Sequence, residues 1–165
     1  MITAWAFEGK AHPAPVPPDC TELHRCLARV LASREHAMAK RTKRFSRSVA
    51  AALHGCKYLG VRAGARSDHR FIAVWVVVID GRAFARSWTL KPDGWYRTFV
   101  DDPLGAIQIG ERTLRVRAIP RRGMKLWKGI EAAYAEKYPT PGSRQYVRGF
   151  RTPRRRAATI EFVPR

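Results

Sequence analysis

Cysteine is scarce. The chain has three, Cys20, Cys26 and Cys56, an odd number with no C-x-x-C spacing. A disulfide scaffold needs more, so free buried thiols in a reduced, cytoplasmic protein are expected. Long apolar runs are also missing. The longest, Phe71 to Ile79, has nine residues, against the roughly 20 that a membrane-spanning helix needs. The opening MITAWAFEGK has no basic n-region and no apolar h-region, so no secretory leader is expected. Histidines are scattered at 12, 24, 36, 54 and 69, with no H-E-x-x-H and no His/Cys cluster. No metal is expected on that basis. Neither G-x-G-x-x-G nor G-x-x-x-x-G-K-S/T occurs, which removes ordinary dinucleotide and P-loop sites. Ser67-Asp68-His69 holds triad residue types, but as sequence neighbours they read as a polar turn. No pair of acids after Met38 suggests glycosidase chemistry.

Acidic residues are few. There are 13 against 32 Lys plus Arg, a net charge of +19 over 165 residues. Such a surface favours anionic partners. The excess is unevenly placed: residues 1–37 balance to zero, and residues 38–165 carry all of it. Arg outnumbers Lys 24 to 8, a bias that GC-rich coding also produces. Residues 1–37 therefore read as an extension, with four prolines within His12 to Pro18 and then a helix over about Glu22 to Met38. A start of translation at Met38 is the other reading. Residues 38–165 form one domain, and the 45% hydrophobic content is enough for a core.

Within that domain the pattern gives a helix over Val49–Leu53 closed by Gly55, and a strand over Lys57–Ala63. Phe71–Ile79 is apolar on both faces. It therefore needs cover on two sides, as in a barrel that also packs against a helix or a second subunit. Asp80-Gly81 marks a tight hairpin into Arg82–Trp88. A short helix over Trp95–Val100 precedes a second hairpin, Gly105–Ile109 and Arg112–Ala118, turned at Gly110-Glu111. A helix over Met124–Tyr138 follows, with Trp127, Ile130, Tyr134 and Tyr138 on one stripe, ended by Pro139 and Pro141. Ala157–Val163 is the last strand. The expected fold is α+β, mainly β: a six-stranded antiparallel split barrel with flanking helices.

The chemistry-bearing residues gather around the central hairpin. Gly64 to Arg70 supplies glycine, the Ser67 hydroxyl, and the guanidiniums of Arg66 and Arg70. Arg86, Ser87 and Lys91 repeat this offer with Trp88 among them, and Trp95 and Tyr96 add flat rings. Hydroxyls, bidentate cations and aromatic faces together suit a flat, phosphorylated cofactor.

The run Trp95-Tyr96-Arg97-Thr98-Phe99-Val100-Asp101-Asp102-Pro103, followed by Ile107-Gln108-Ile109-Gly110, resembles the W-Y-x-N-L-x-x-N-P … V-Q-I-G signature of deazaflavin-dependent nitroreductases. Arg151-Thr152-Pro153 through Glu161-Phe162-Val163-Pro164 resembles the R-x-I-P … L-x-P ending of the wider split-barrel class, which includes the pyridoxamine phosphate oxidases. Residues 57–165 more closely resemble a bacterial family known as domain of unknown function 2255. The resemblance implies a flavin mononucleotide (FMN) or deazaflavin cofactor and oxidoreductase chemistry. It places Arg66, Ser67, Arg70, Arg86, Ser87 and Lys91 on the phosphate, and Trp75, Trp88, Trp95 and Tyr96 around the ring or its substrate. Tyr134 and Tyr138 are either proton donors or core. The chain departs from the nitroreductase pattern at Asp68, where that pattern has glycine, and at Thr98, where it has asparagine. A homodimer through the Phe71–Ile79 face is expected. Two other readings remain. One is a basic protein holding nucleic acid without sequence preference, through Lys40–Arg47 and Arg154–Arg156. The other is a cofactor-free barrel for ligand binding or assembly.

Overall fold

The computed structural model describes residues 44–165. The helix expected over 22–38, the boundary at Met38, Cys20 and Cys26 lie outside the described residues. Helix α1 (Arg47–Gly55) starts where Ser46 accepts a hydrogen bond from the Val49 N–H, and closes with Cys56 N–H on the Ala52 carbonyl. Then come strands β1 (Leu59–Ala63), β2 (Ile72–Val74), β3 (Val76–Ile79) and β4 (Arg82–Arg86), and helix α2 (Trp95–Asp101). Strands β5 (Leu104–Ile109) and β6 (Arg112–Pro120) precede helices α3 (Met124–Lys137), α4 (Pro141–Gly149) and α5 (Pro153–Ala157), and β7 (Thr159–Pro164) ends the chain.

All pairings are antiparallel, in the order β2-β1-β5-β6-β7-β4-β3. The two outermost strands, β2 and β3, are one segment interrupted at Trp75. Val74 pairs with Leu59 of β1, while Val76 already pairs with Ala85 of β4. The sheet thus returns to its own starting segment and forms a nearly closed split barrel. The expected six strands become seven because Phe71–Ile79 changes partner midway. A straight strand could not serve both sides of the split.

Both hairpin turns expected from the sequence form. Asp80 and Gly81 have φ of 50° and 72°, the pair of positive angles a two-residue turn needs, and Gly110 has φ of 57°. Alternation on β6 also holds: Val116 and Ala118 are buried while Arg115 and Arg117 are exposed. Two helices were not foreseen. Pro141 reads as a breaker, yet it sits in the first turn of the next helix behind Thr140, as Pro153 does behind Thr152. A proline there loses no hydrogen bond and its fixed φ suits the helix. The last strand consequently begins at Thr159 rather than Ala157.

The apolar residues divide into two clusters. The barrel interior holds Leu53, Leu59, Val61, Val76, Phe99, Ile107 and Phe162. Outside the barrel wall, Val77 and Phe84 meet Ile130, Tyr134 and Tyr138 of α3 together with Val147 and Phe150. The β3 half of Phe71–Ile79 therefore has cover on two sides, the barrel interior on one and α3 and α4 on the other, whereas Ile72 and Ala73 of β2 are exposed. Each fully buried side chain of this kind contributes about 1.5–3 kcal/mol.

Where the segment changes partner, its backbone would lack hydrogen bonds, and α3 supplies them. The Tyr134 hydroxyl donates to the Trp75 carbonyl (3.2 Å) and accepts from the Arg86 N–H (3.1 Å). The Tyr138 hydroxyl accepts from the Val76 N–H (3.2 Å) and donates to the Lys57 carbonyl (2.9 Å), across the split. Lys137 Nζ joins the Leu53 and Val76 carbonyls, at 2.9 Å each. Burial pushes both tyrosine pKa values well above the ordinary phenol. Both hydroxyls are structural, so the proton-donor reading of Tyr134 and Tyr138 gives way to the core reading.

The outer face of β4 and β7 also carries a buried ion cluster. Glu161 is 1% exposed. It takes a two-pronged contact from Arg82 (2.8 and 2.7 Å) and a third bond from Arg121 Nε (2.6 Å). Burial works against this carboxylate, but the bonds and charges of Arg82 and Arg121 outweigh it and hold its pKa below the ordinary value.

Two outcomes are expected. Tyr138→Phe leaves the Val76 N–H and the Lys57 carbonyl unmet and lowers unfolding stability by about 1–3 kcal/mol in urea titrations. Glu161→Gln costs about 2 kcal/mol at neutral pH. That is less than a fully buried pair, since Arg82 and Arg121 keep 28% and 30% of their side chains exposed. A carboxylate with a lowered folded pKa stabilises fully above its unfolded value, about 4.3, and the gain is lost as pH falls through the folded value. Below about pH 4 the native chain should therefore lose stability more steeply than Glu161→Gln, as read by melts across pH.

Candidate functional site

The split in the barrel opens into a cavity of about 370 Å³. Its walls are aromatic: Trp75, Trp88, Trp95, Tyr146 and Phe150, with β2 along one side and Arg86 below. Trp75 comes from the strand break. Its ring stacks on Tyr138 at 4.2 Å and meets the edges of Tyr146 and Phe150. Trp88 follows β4 and is 37% exposed. Its ring meets Tyr146 at 4.9 Å, and the Arg155 guanidinium covers it at 3.9 Å. A side chain at Gly149 would strike the Trp88 ring, so the bare backbone of α4 is what seats that indole.

Arg86 ends β4 and is 2% exposed. Nε donates to the Thr159 hydroxyl (3.0 Å), and Nη1 to the Phe150 carbonyl (2.7 Å) and Glu131 (3.3 Å). Nη2 is buried and has no hydrogen-bond partner among the described residues. Glu131, on α3, is in turn held by Arg156 through two bonds of 2.7 and 3.0 Å. Burial disfavours the Glu131 charge, but Arg156 and Arg86 overcome this and leave its pKa lowered. Burial likewise pushes the Arg86 pKa down, though an arginine stays charged.

Two further hollows adjoin the cavity. One, of about 510 Å³, is lined by Trp88, Leu90, Lys91, Thr152, Arg154 and Arg155. The next shares Leu90 and Arg154 with it and adds Tyr96 and Arg97. Trp88 is common to the aromatic cavity and the first basic hollow.

Of the residues singled out from sequence, Trp75, Arg86, Trp88 and Trp95 meet at the cavity. Lys91 and Tyr96 lie along the groove. Ser87 is buried, and its hydroxyl is committed to the Thr89 carbonyl. Arg66, Ser67 and Arg70 stand on the β1–β2 connection and line none of these three hollows. That connection is tied elsewhere: the Asp102 carboxylate takes the Ala65 N–H at 2.6 Å. This bond and one from the Leu104 N–H hold the Asp102 pKa below its ordinary value. A carboxylate of the chain thus occupies an amide that a phosphate cradle would use. Sequence reasoning missed Glu131, Tyr146, Phe150 and Thr159. One signal was present, an acid at position 131 beside Ile130 and three before Tyr134, on an otherwise apolar stripe. Tyr146 and Phe150 lie in and just after a helix whose proline start hid it.

Among the described residues no three His, Cys, Asp or Glu side chains are placed to hold a metal, and no helix is long and apolar enough to cross a membrane.

No curated protein matches this chain. Among solved structures it is similar to the conserved hypothetical protein Rv2991 from Mycobacterium tuberculosis, with 13% identity over 75% of this chain and 82% of that one, and a TM-score of 0.48. It is similar to an F420-H2 dependent reductase, FDR-A, with 21% identity, 64% and 91% coverage and a TM-score of 0.44. A FAD-binding protein (mll6688) from Mesorhizobium loti gives 11% identity, 73% and 88% coverage and again 0.44. Residues 56–162 match a family described as "Uncharacterized protein conserved in bacteria (DUF2255)", and the chain belongs to that family.

Proposed function

We propose that the protein is an oxidoreductase that binds a planar, phosphorylated cofactor, a flavin mononucleotide or a deazaflavin. One observation carries this: the exposed Trp88 indole lines both the aromatic cavity and the basic groove. The donor set fits the group. Lys91 and Arg154 offer the ammonium and guanidinium that hold a phosphate. The Trp88 indole offers the ring a flat face at the cavity mouth. This reading moves the phosphate contacts from Arg66, Ser67 and Arg70 to the groove.

When bound, the cofactor supplies hydride chemistry, and the protein supplies position and field. Arg155 holds the Trp88 plane from behind while its Nε donates to the Trp88 carbonyl (3.2 Å). Gly149 leaves room for the indole. The walls of Trp75, Tyr146 and Phe150 exclude water from the space beyond the ring.

The test uses the full chain with each cofactor, reading cofactor absorbance, tryptophan fluorescence and melting temperature. A perturbed spectrum and a raised melting temperature are expected with one of them. The double change Lys91→Ala and Arg154→Ala should weaken binding about tenfold or more, whereas Arg115→Ala with Arg117→Ala, on exposed β6 positions, should not. Gly149→Ala should displace Trp88 and weaken binding while the chain stays folded by circular dichroism. No spectral change and no thermal shift with either cofactor defeats the reading.

A further inference from the structure

We propose that the aromatic cavity is a binding site for a small aromatic carboxylate, its ring between the indoles and its carboxylate on Arg86 Nη2. The inference rests on the cavity itself and does not require a cofactor in the neighbouring groove.

The first argument is the unmet donor. A buried nitrogen of a charged group without a partner is costly, of the order of 1–3 kcal/mol or more. The other nitrogens of this guanidinium are used, Nε by Thr159 and Nη1 by Phe150 and Glu131, and the nearby Tyr134 hydroxyl by Trp75. Arg86 is part of the cavity wall with its side chain 0% exposed, so a guest that displaces the cover of Nη2 is the natural acceptor.

The second argument is charge. The buried cluster contains two guanidiniums, Arg86 and Arg156, and one carboxylate, Glu131. It is one positive charge in excess, and a guest with a single negative charge completes it. The contrast with Glu161 is direct. There two arginines also face one carboxylate, but Arg82 and Arg121 keep 28% and 30% of their side chains exposed, whereas the Arg86 side chain is 0% exposed. In the second cluster water reaches Arg156, 23% exposed, but not Arg86.

The third argument is shape. Beyond Arg86 the lining is mainly ring faces and β2 side chains. Trp75, Trp88, Tyr146 and Phe150 already touch in edge-to-face contacts between 4.9 and 6.1 Å. They form a cage that needs little rearrangement to receive another ring, and such pairs favour flat guests. A volume of about 370 Å³ admits a guest of one or two rings. An aliphatic acid would leave the ring faces unmet, and a neutral arene would leave Nη2 unmet.

The experiment is calorimetric titration of the full chain with benzoate, benzamide and acetate, with tryptophan fluorescence followed in parallel. Benzoate should bind, quench fluorescence and raise the melting temperature. Benzamide, of nearly the same shape but neutral, should bind at least about tenfold more weakly. Acetate should neither bind comparably nor displace benzoate, which separates the cavity from the general basic surface. Arg86→Met should abolish the preference for benzoate over benzamide. Because Arg86 also ties Thr159, Glu131 and Phe150, a second variant guards against unfolding. Ala73→Phe fills the cavity from the exposed strand β2, and Ala73 is not a partner of Arg86. It should abolish benzoate binding and keep the native melt. Failure of benzoate to bind, equal affinity for benzamide, displacement by acetate, or undiminished binding in Ala73→Phe each overturns the proposal.

Discussion

The structure depends on a change of hydrogen-bond partner at one residue. At Trp75 a single apolar segment leaves β1 and joins β4, so it forms both edges of the same sheet. An open sheet of this size would expose two unpaired edges, which invite association. Here the edges lie beside each other, and the polar groups released by the break are met from α3. Tyr134 and Tyr138 stand one helical turn apart on that helix, and their hydroxyls reach Trp75, Arg86, Val76 and Lys57. The two-sided apolarity of the segment follows from the same geometry. Val76 faces the barrel interior and Val77 faces the helices. The cavity is a consequence as well, since it opens where the wall turns.

The charge of the protein is organised on two scales. Most arginines are on the surface, as on β6, where Arg115 and Arg117 point outward. Others behave differently because two buried carboxylates collect them or because they cover a ring. Glu161 gathers Arg82 and Arg121; Glu131 gathers Arg86 and Arg156; Arg155 lies over Trp88. Buried carboxylates are tolerated only when paired. In both clusters one acid meets two bases, so an excess of positive charge is carried inward to the outer wall of β4 and β7. Near Glu161 solvent disperses it. At Arg86 it is retained, next to aromatic surface, and there it acquires chemical meaning.

Local pattern was informative wherever neighbours in sequence are neighbours in space. The Asp80-Gly81 turn, the alternation on β6, and the α3 stripe of Ile130, Tyr134 and Tyr138 are all short-range features, and all form. Helices α4 and α5 were obscured because proline reads as a stop, while at a first helical turn it is a start. The candidate site was half legible. The aromatic and cationic residues around the central hairpin pointed to Trp75, Arg86, Trp88 and Trp95, which meet at one cavity. Arg66, Ser67 and Arg70, equally suitable by type, are not among its lining residues.

By itself the sequence determined the elements, the antiparallel hairpins, the need for cover on both faces of Phe71–Ile79, and a cationic surface concentrated after residue 37. These follow from periodicity, turn chemistry and composition, which act over a few residues. Only the tertiary structure decided that the segment breaks at Trp75, that Glu131 reaches Arg86 across 45 positions, and that Arg86 is a buried donor rather than a surface cation. The reason is physical. An arginine's role is set by which carboxylates, carbonyls and rings surround it, and here those come from β7, α3 and the end of α4, brought together by the closure of the barrel.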